Sequence, residues 1–114
     1  MRREILLLEE MVTSIEQIIA ITARVDEVSL SANRVTRDAL LWNFMVLGES
    51  SAQLSEEFKD DYSSIPWSHP ARLRNRIVHG YWSIDLSILL AVATDELPDF
   101  LLSIREILRN LDPS

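Results

Sequence analysis

Hydrophobic positions recur at helical spacing almost from one end of the chain to the other. Ile5, Leu8, Val12, Ile15, Ile19 and Thr22 step by three and four, so they share one helix face. The pattern predicts a first helix from about residue 3 to residue 24, with Glu9, Glu16 and Gln17 on its solvated side. Asp26 to Asn33 is small and polar and reads as a connection, with Ser31 or Asn33 suited to cap the next helix. A second helix is predicted from Arg34 to about Phe58. Leu40, Phe44, Leu47, Ser51, Leu54 and Phe58 form one stripe on it, and Val35, Ala39, Trp42 and Val46 form another beside it. Two stripes call for two neighbours, the core and something else. Gly48 lies mid-helix, where glycine costs about 1 kcal/mol relative to alanine. A close helix–helix approach is the usual reason.

Lys59 to Pro66 interrupts the pattern. Ser68 or His69 is placed to cap a short third helix that carries Pro70 in its first turn, where the missing N–H costs little. That helix should end before Gly80, a natural residue to follow a helix C-terminus. Trp67 at its entry, and Tyr81 and Trp82 after its end, read as core anchors, and His69 as a turn or cap residue. Ser83 or Asp85 opens the last segment, whose stripe from Leu86 through Leu90, Ala93, Leu97, Leu101, Ile104 and Leu108 to Leu111 runs unbroken past Pro98. The unbroken stripe favours one helix kinked at Pro98 over two helices end to end. The expected architecture is all-α, an up-and-down bundle of four to five helices forming a single domain over 1–114. Apolar surface left over on the second and last helices points to a homodimer.

Composition narrows the chemistry. The 114 residues contain no cysteine, which excludes disulfides, thiolate metal sites and cysteine nucleophiles. Glycine is confined to Gly48 and Gly80, so there is no glycine-rich phosphate loop. No stretch approaches a membrane span, and the apolar run after Arg2 and Arg3 is far shorter than the roughly 7–15 residues of a secretory signal core. A cytoplasmic protein is expected. The formal net charge of −7, from 18 acids against 11 Lys and Arg, speaks at first against nucleic acid as a partner.

That charge is unevenly spread. No acid occurs between Asp61 and Asp85, and those 23 intervening residues hold Arg72, Arg74, Arg76 and both histidines. Potential is set locally, within a Debye length of about 8–10 Å, so an anion-binding patch is compatible with an acidic protein. His79 should be the last helical residue before Gly80, and a partly exposed histidine near neutral pH can act as general acid or base. Arg74 lies five residues earlier, about 140° around an ideal helix. The two converge on one substrate only if the helix ends irregularly or a cleft or dimer partner wraps around it.

The run Arg74-Asn75-Arg76-Ile77-Val78-His79-Gly80-Tyr81 resembles the signature of HepT-like toxins in the HEPN superfamily, an arginine, four residues, a histidine, any residue and a tyrosine. The resemblance continues through Asp38-Ala39 and Leu47-Gly48-Glu49-Ser50, the entry Ile65-Pro66-Trp67, and Asp95-Glu96-Leu97-Pro98. It implies an all-helical homodimer whose motif helices face each other across a cleft. It also implies a metal-independent endoribonuclease that needs no cofactor, in which the RNA's own 2′-hydroxyl attacks the adjacent phosphate. Carried over by motif position, His79 would be the acid–base residue and Arg74 would stabilise the phosphorane, since guanidinium donors match phosphate oxygens. Asn75 would orient the phosphate or the histidine, and Arg72 and Arg76 would extend contact with the RNA backbone. The implied partner is an MNT-type nucleotidyltransferase antitoxin that transfers AMP onto Tyr81, as in a type VII-like toxin–antitoxin pair. The alternative is a non-catalytic HEPN module that binds nucleotide or a partner and scaffolds the transferase.

Overall fold

The computed structural model describes residues 2–111, which form seven helices and, among the described residues, no strand. They are α1 (Arg2–Thr22), α2 (Glu27–Ala32), α3 (Arg34–Gln53), α4 (Glu56–Asp61), α5 (Ser68–His79), α6 (Leu86–Asp95) and α7 (Leu97–Leu111). The all-α class is as expected, but the helices outnumber the four to five predicted. Helix α3 is the central element, packed along α1 on one side and α5 on the other, with α7 lying against α1. The core runs from Leu8, Met11, Ile15 and Ile18 of α1 through Leu40, Leu41, Phe44 and Leu47 of α3 to Leu73 and Ile77 of α5. Leu89, Leu97 and Ile104 close it from α6 and α7.

Three boundaries differ from expectation, each for a local reason. The connection after α1 contains α2, which Asp26 opens with a capping box. Its carboxylate accepts the Ser29 N–H at 2.8 Å while the Asp26 N–H donates to Ser29 Oγ at 3.1 Å. Asn33 then caps α3, as anticipated, by accepting the Thr36 N–H. The predicted second helix stops at Gln53, because Leu54 is extended and Ser55 caps the separate α4 by accepting the Phe58 N–H. Leu54 and Phe58 are buried all the same, so the stripe crosses the break.

The predicted kink is a true division into α6 and α7. Glu96 separates them, its N–H donating to the Val92 carbonyl and its own carbonyl accepting from Phe100. Pro98 has no N–H to bond the carbonyl of Thr94, and its ring would crowd that carbonyl in a continuous helix, so the helix restarts with proline in its first turn. Neither Ser68 nor His69 caps α5. The residue before its first turn is Trp67, with no capping side chain. The N-terminal end of α5 is instead tied to α3, where Ser51 Oγ donates to the buried Trp67 carbonyl at 2.6 Å.

Trp67 is a core anchor, as read, stacked edge-on against Phe100 with ring centroids 5.9 Å apart. Gly48 is where α3 and α5 touch: a Cβ there would lie 2.4 Å from Arg74 Cβ and 2.5 Å from the Pro70 carbonyl oxygen. The expected close helix approach is thus present, and it sets the motif helix against α3. Gly80 follows α5 without a left-handed backbone (φ −144°), its N–H donating to the Arg76 carbonyl.

Candidate active site

Helix α5 is amphipathic. Pro70, Leu73 and Ile77 face the core, and Arg72, Asn75, Arg76, Val78 and His79 are exposed around them. Arg74 sits between these faces, its side chain about a quarter exposed, because the missing side chain at Gly48 lets α5 lie close to α3. Its guanidinium is paired with the Glu49 carboxylate, and its Nε donates to Asn75 Oδ1 at 3.1 Å. Asn75 therefore orients the arginine. Arg74 and Glu49 line a groove of about 330 Å³ whose other walls are Trp42, Met45, Val46, Ser50 and Val78.

His79 opens onto a different depression, shared with Arg76, Gly80, Ser83, Ile84 and Asp85. Arg74 and His79 are thus presented on separate surfaces of one chain, as their angular offset on α5 implied. Arg72 donates to Ser68 Oγ at 2.8 Å, back along its own helix. Asp85 caps α6 by accepting from the Ser87 hydroxyl and N–H; these bonds hold its carboxyl below the usual carboxylate value, and the nearby Arg76 charge adds to the effect.

Tyr81 is only partly buried, and it is not held by apolar packing alone. Its hydroxyl donates to Asp38 Oδ1 on α3 at 2.5 Å. The other Asp38 oxygen faces Arg34 Nε at 3.4 Å. The bond from Tyr81 holds the Asp38 carboxyl below its ordinary value against the opposing effect of burial, with Arg34 and Arg37 reinforcing it. The same bond, with burial and the Asp38 charge, pushes the Tyr81 phenol above 10, while the two arginines pull it back. Trp82 is not the core anchor predicted. It is 76% exposed, stands edge-on to Tyr81 at 5.1 Å, and carries the Arg34 guanidinium 5.3 Å from its ring centroid.

The acid-free stretch of sequence is therefore not acid-free in space. Glu49 meets Arg74, Asp38 meets Tyr81, Asp85 stands near Arg76, and Glu96 meets His69, whose Nδ1 lies 2.7 Å from its Oε1. His69 thus ties the start of α5 to the α6–α7 junction and does not act as a cap. Asp38 and Glu49 lie within the second-helix pattern that carried the resemblance, yet nothing in their spacing named them as site residues. Among the described residues, no three His, Asp or Glu side chains converge as a metal-binding group.

An all-helical bundle with an Arg-x4-His-x-Tyr segment on a helix docked against α3 defines a small class of protein, and comparison with known proteins agrees. Residues 11–107 match the model of the HepT-like ribonuclease family, and the chain belongs to that family. It is 29% identical over 80 residues to a candidate RNase of Methanocaldococcus jannaschii, covering 70% of this chain and 66% of that protein. A second candidate RNase of the same organism is 25% identical, with 80% and 84% covered. "Probable ribonuclease HepT" of Thermococcus cleftensis is 26% identical, with 80% and 83% covered. No solved structure matches significantly. Among the described residues, no helix is long and apolar enough to cross a membrane.

Proposed function

We propose that this chain is the toxin of a type VII-like toxin–antitoxin pair, an endoribonuclease that cleaves RNA in the cytoplasm without a metal ion or other cofactor. The observation that carries the reading is the intact Arg74, His79 and Tyr81 motif on and just after α5, within a family match spanning residues 11–107. The RNA 2′-hydroxyl attacks the neighbouring phosphorus, and the bond to the 5′-oxygen breaks, leaving a cyclic phosphate and a 5′-hydroxyl. His79 accepts the 2′-hydroxyl proton and returns one to the leaving oxygen, a role typically worth about 10²–10⁴ in rate. Arg74, aimed by Asn75, neutralises the charge that builds on the phosphoryl oxygens, and Glu49 gives way to the phosphate. Arg72 and Arg76 add backbone attraction that salt weakens. A homodimer brings the Arg74 groove of one chain beside the His79 surface of the other. AMP transfer onto Tyr81 by an MNT-type nucleotidyltransferase then sets a charged, bulky group two residues from His79 and silences it.

The test is RNA cleavage by the purified protein in EDTA. Cleavage by the wild type, with losses of at least about 10²-fold in folded His79→Ala and Arg74→Ala variants, is the expected result. Cleavage that persists in both variants, or that needs an added divalent ion, overturns the proposal.

One observation favours a second reading, a non-catalytic module that binds nucleotide or scaffolds the transferase. In the single chain Arg74 is already neutralised by Glu49 and does not share a groove with His79. Under that reading the protein binds RNA or nucleotide without cutting it, and its complex with the transferase tolerates both substitutions.

A further inference from the structure

We propose that Asp38 is the proton acceptor for Tyr81 when that tyrosine attacks a nucleoside triphosphate, so that the toxin itself supplies the base for its own modification. The inference rests on the reading of Tyr81 as the acceptor of AMP. It starts from the contact between two residues 43 positions apart, Tyr81 Oη to Asp38 Oδ1 at 2.5 Å.

The geometry assigns each carboxylate oxygen its own task. Oδ1 takes the phenol proton, and Oδ2 is turned toward Arg34. The ring of Tyr81 is held edge-on by Trp82, which in turn lies under Arg34. The phenol therefore has a fixed direction and a committed acceptor, while its segment remains accessible from solvent. A phenol that titrates above 10 is almost wholly protonated near neutral pH, so it must shed its proton as it attacks. The Asp38 carboxyl is ionised near neutral pH, and its Oδ1 already holds that proton's hydrogen bond, so it can take the proton as attack on phosphorus makes the phenol acidic.

In the step, a new bond forms between Tyr81 Oη and the α-phosphorus as the bond from that phosphorus to the pyrophosphate oxygen breaks. The phenol proton passes to Asp38 Oδ1 and then to water, and pyrophosphate leaves. Arg34 and Arg37, the charged groups flanking the pair, offset the negative charge of the new phosphodiester. A carboxylate positioned to receive a hydroxyl proton during phosphoryl transfer is the same device that protein kinases use.

The experiment is adduct formation on the full chain with MgATP and the nucleotidyltransferase of the pair, followed by intact mass and peptide mapping. Asp38→Asn keeps a hydrogen-bond acceptor of the same shape but cannot take the proton, and adduct formation should slow by about 10²-fold. Asp38→Ala should be equally slow and should recover with added formate, which a merely structural role would not produce. The ratio of wild-type to Asp38→Asn rates, in which the transferase's own pH dependence cancels, should fall as pH rises and hydroxide takes over removal of the phenol proton in the variant. Equal rates for the wild type and both variants, or a ratio flat with pH, overturn the proposal. A wild-type chain that takes no adduct, or takes it elsewhere than Tyr81, overturns the reading of Tyr81 as the acceptor and this proposal with it. The peptide map tells these two failures apart.

Discussion

At the residue scale, Gly48 carries two opposed demands. Alanine there would gain about 1 kcal/mol of helix propensity. Its Cβ would also sit 2.4 Å from Arg74 Cβ and 2.5 Å from a backbone oxygen, and neither of those atoms is the free end of a flexible chain. Overpacking of this kind costs about 1–3 kcal/mol, so Gly48→Ala should lower stability in urea unfolding and should displace Arg74 as well. The Tyr81–Asp38 bond has its own signature. The Asp38 carboxyl is lowered in the fold, so its contribution is present above the unfolded value of about 3.9 and fades as pH falls through the folded one. The Tyr81 phenol is raised, so its contribution is present below about 10 and fades as pH rises through the folded value. The difference in Tm between the wild type and Tyr81→Phe should therefore be steady from about pH 5 to 9 and shrink on both sides. A difference that does not change with pH would mean that the bond is not formed in solution.

At the scale of elements, the site depends on how α5 is fastened to α3. Besides the Gly48 contact, the buried bond from Ser51 to the Trp67 carbonyl anchors the start of α5. Ser51→Ala leaves that carbonyl without its partner and should cost about 1–3 kcal/mol in denaturant unfolding. Ser51→Thr, which keeps a hydroxyl, should recover part of that loss; no difference between the two would show that packing and not the bond matters there. Ser51 was readable in the sequence as a member of the apolar stripe, but its bond was not, because its partner lies 16 residues away in a loop. The same holds for most of what shapes the site. Helical stripes record which residues face the core, so α1, α3, α5 and the α6–α7 stripe could be read directly. They do not record where the backbone breaks while the apolar face continues, as it does through Leu54 and Phe58 and again at Glu96. Helix α2 escaped because Leu30 is its only buried residue and Val28 is 78% exposed, leaving no period to detect. Asp38 and Glu49 reach Tyr81 and Arg74 across 43 and 25 positions, and a charge count along the chain cannot register such pairings.

At the scale of the whole molecule, the separation of Arg74 from His79 makes assembly a requirement of catalysis under the proposed function. Trp42 and Val78 are 63% and 53% exposed and line the Arg74 groove, so the arginine emerges within an apolar surface. A symmetric dimer built on that surface presents each chain's groove to the other's motif helix, and two-fold symmetry then yields two equivalent sites. If each site takes Arg74 from one chain and His79 from the other, two inactive variants can repair one another. In a heterodimer of Arg74→Ala with His79→Ala, one site has both residues and the other has neither. Co-refolding equal amounts makes about half the dimers mixed, each with one working site, so activity should return to about a quarter of the wild-type level. Sites completed within one chain predict no recovery at all, since neither variant then holds both residues. Trp42→Glu provides the control, because a buried like-charge pair across the dyad should abolish both the dimer in sedimentation and the recovery. Recovery that survives loss of the dimer would rule out sites shared across this surface, as would no recovery in a mixture that sedimentation shows to be dimeric.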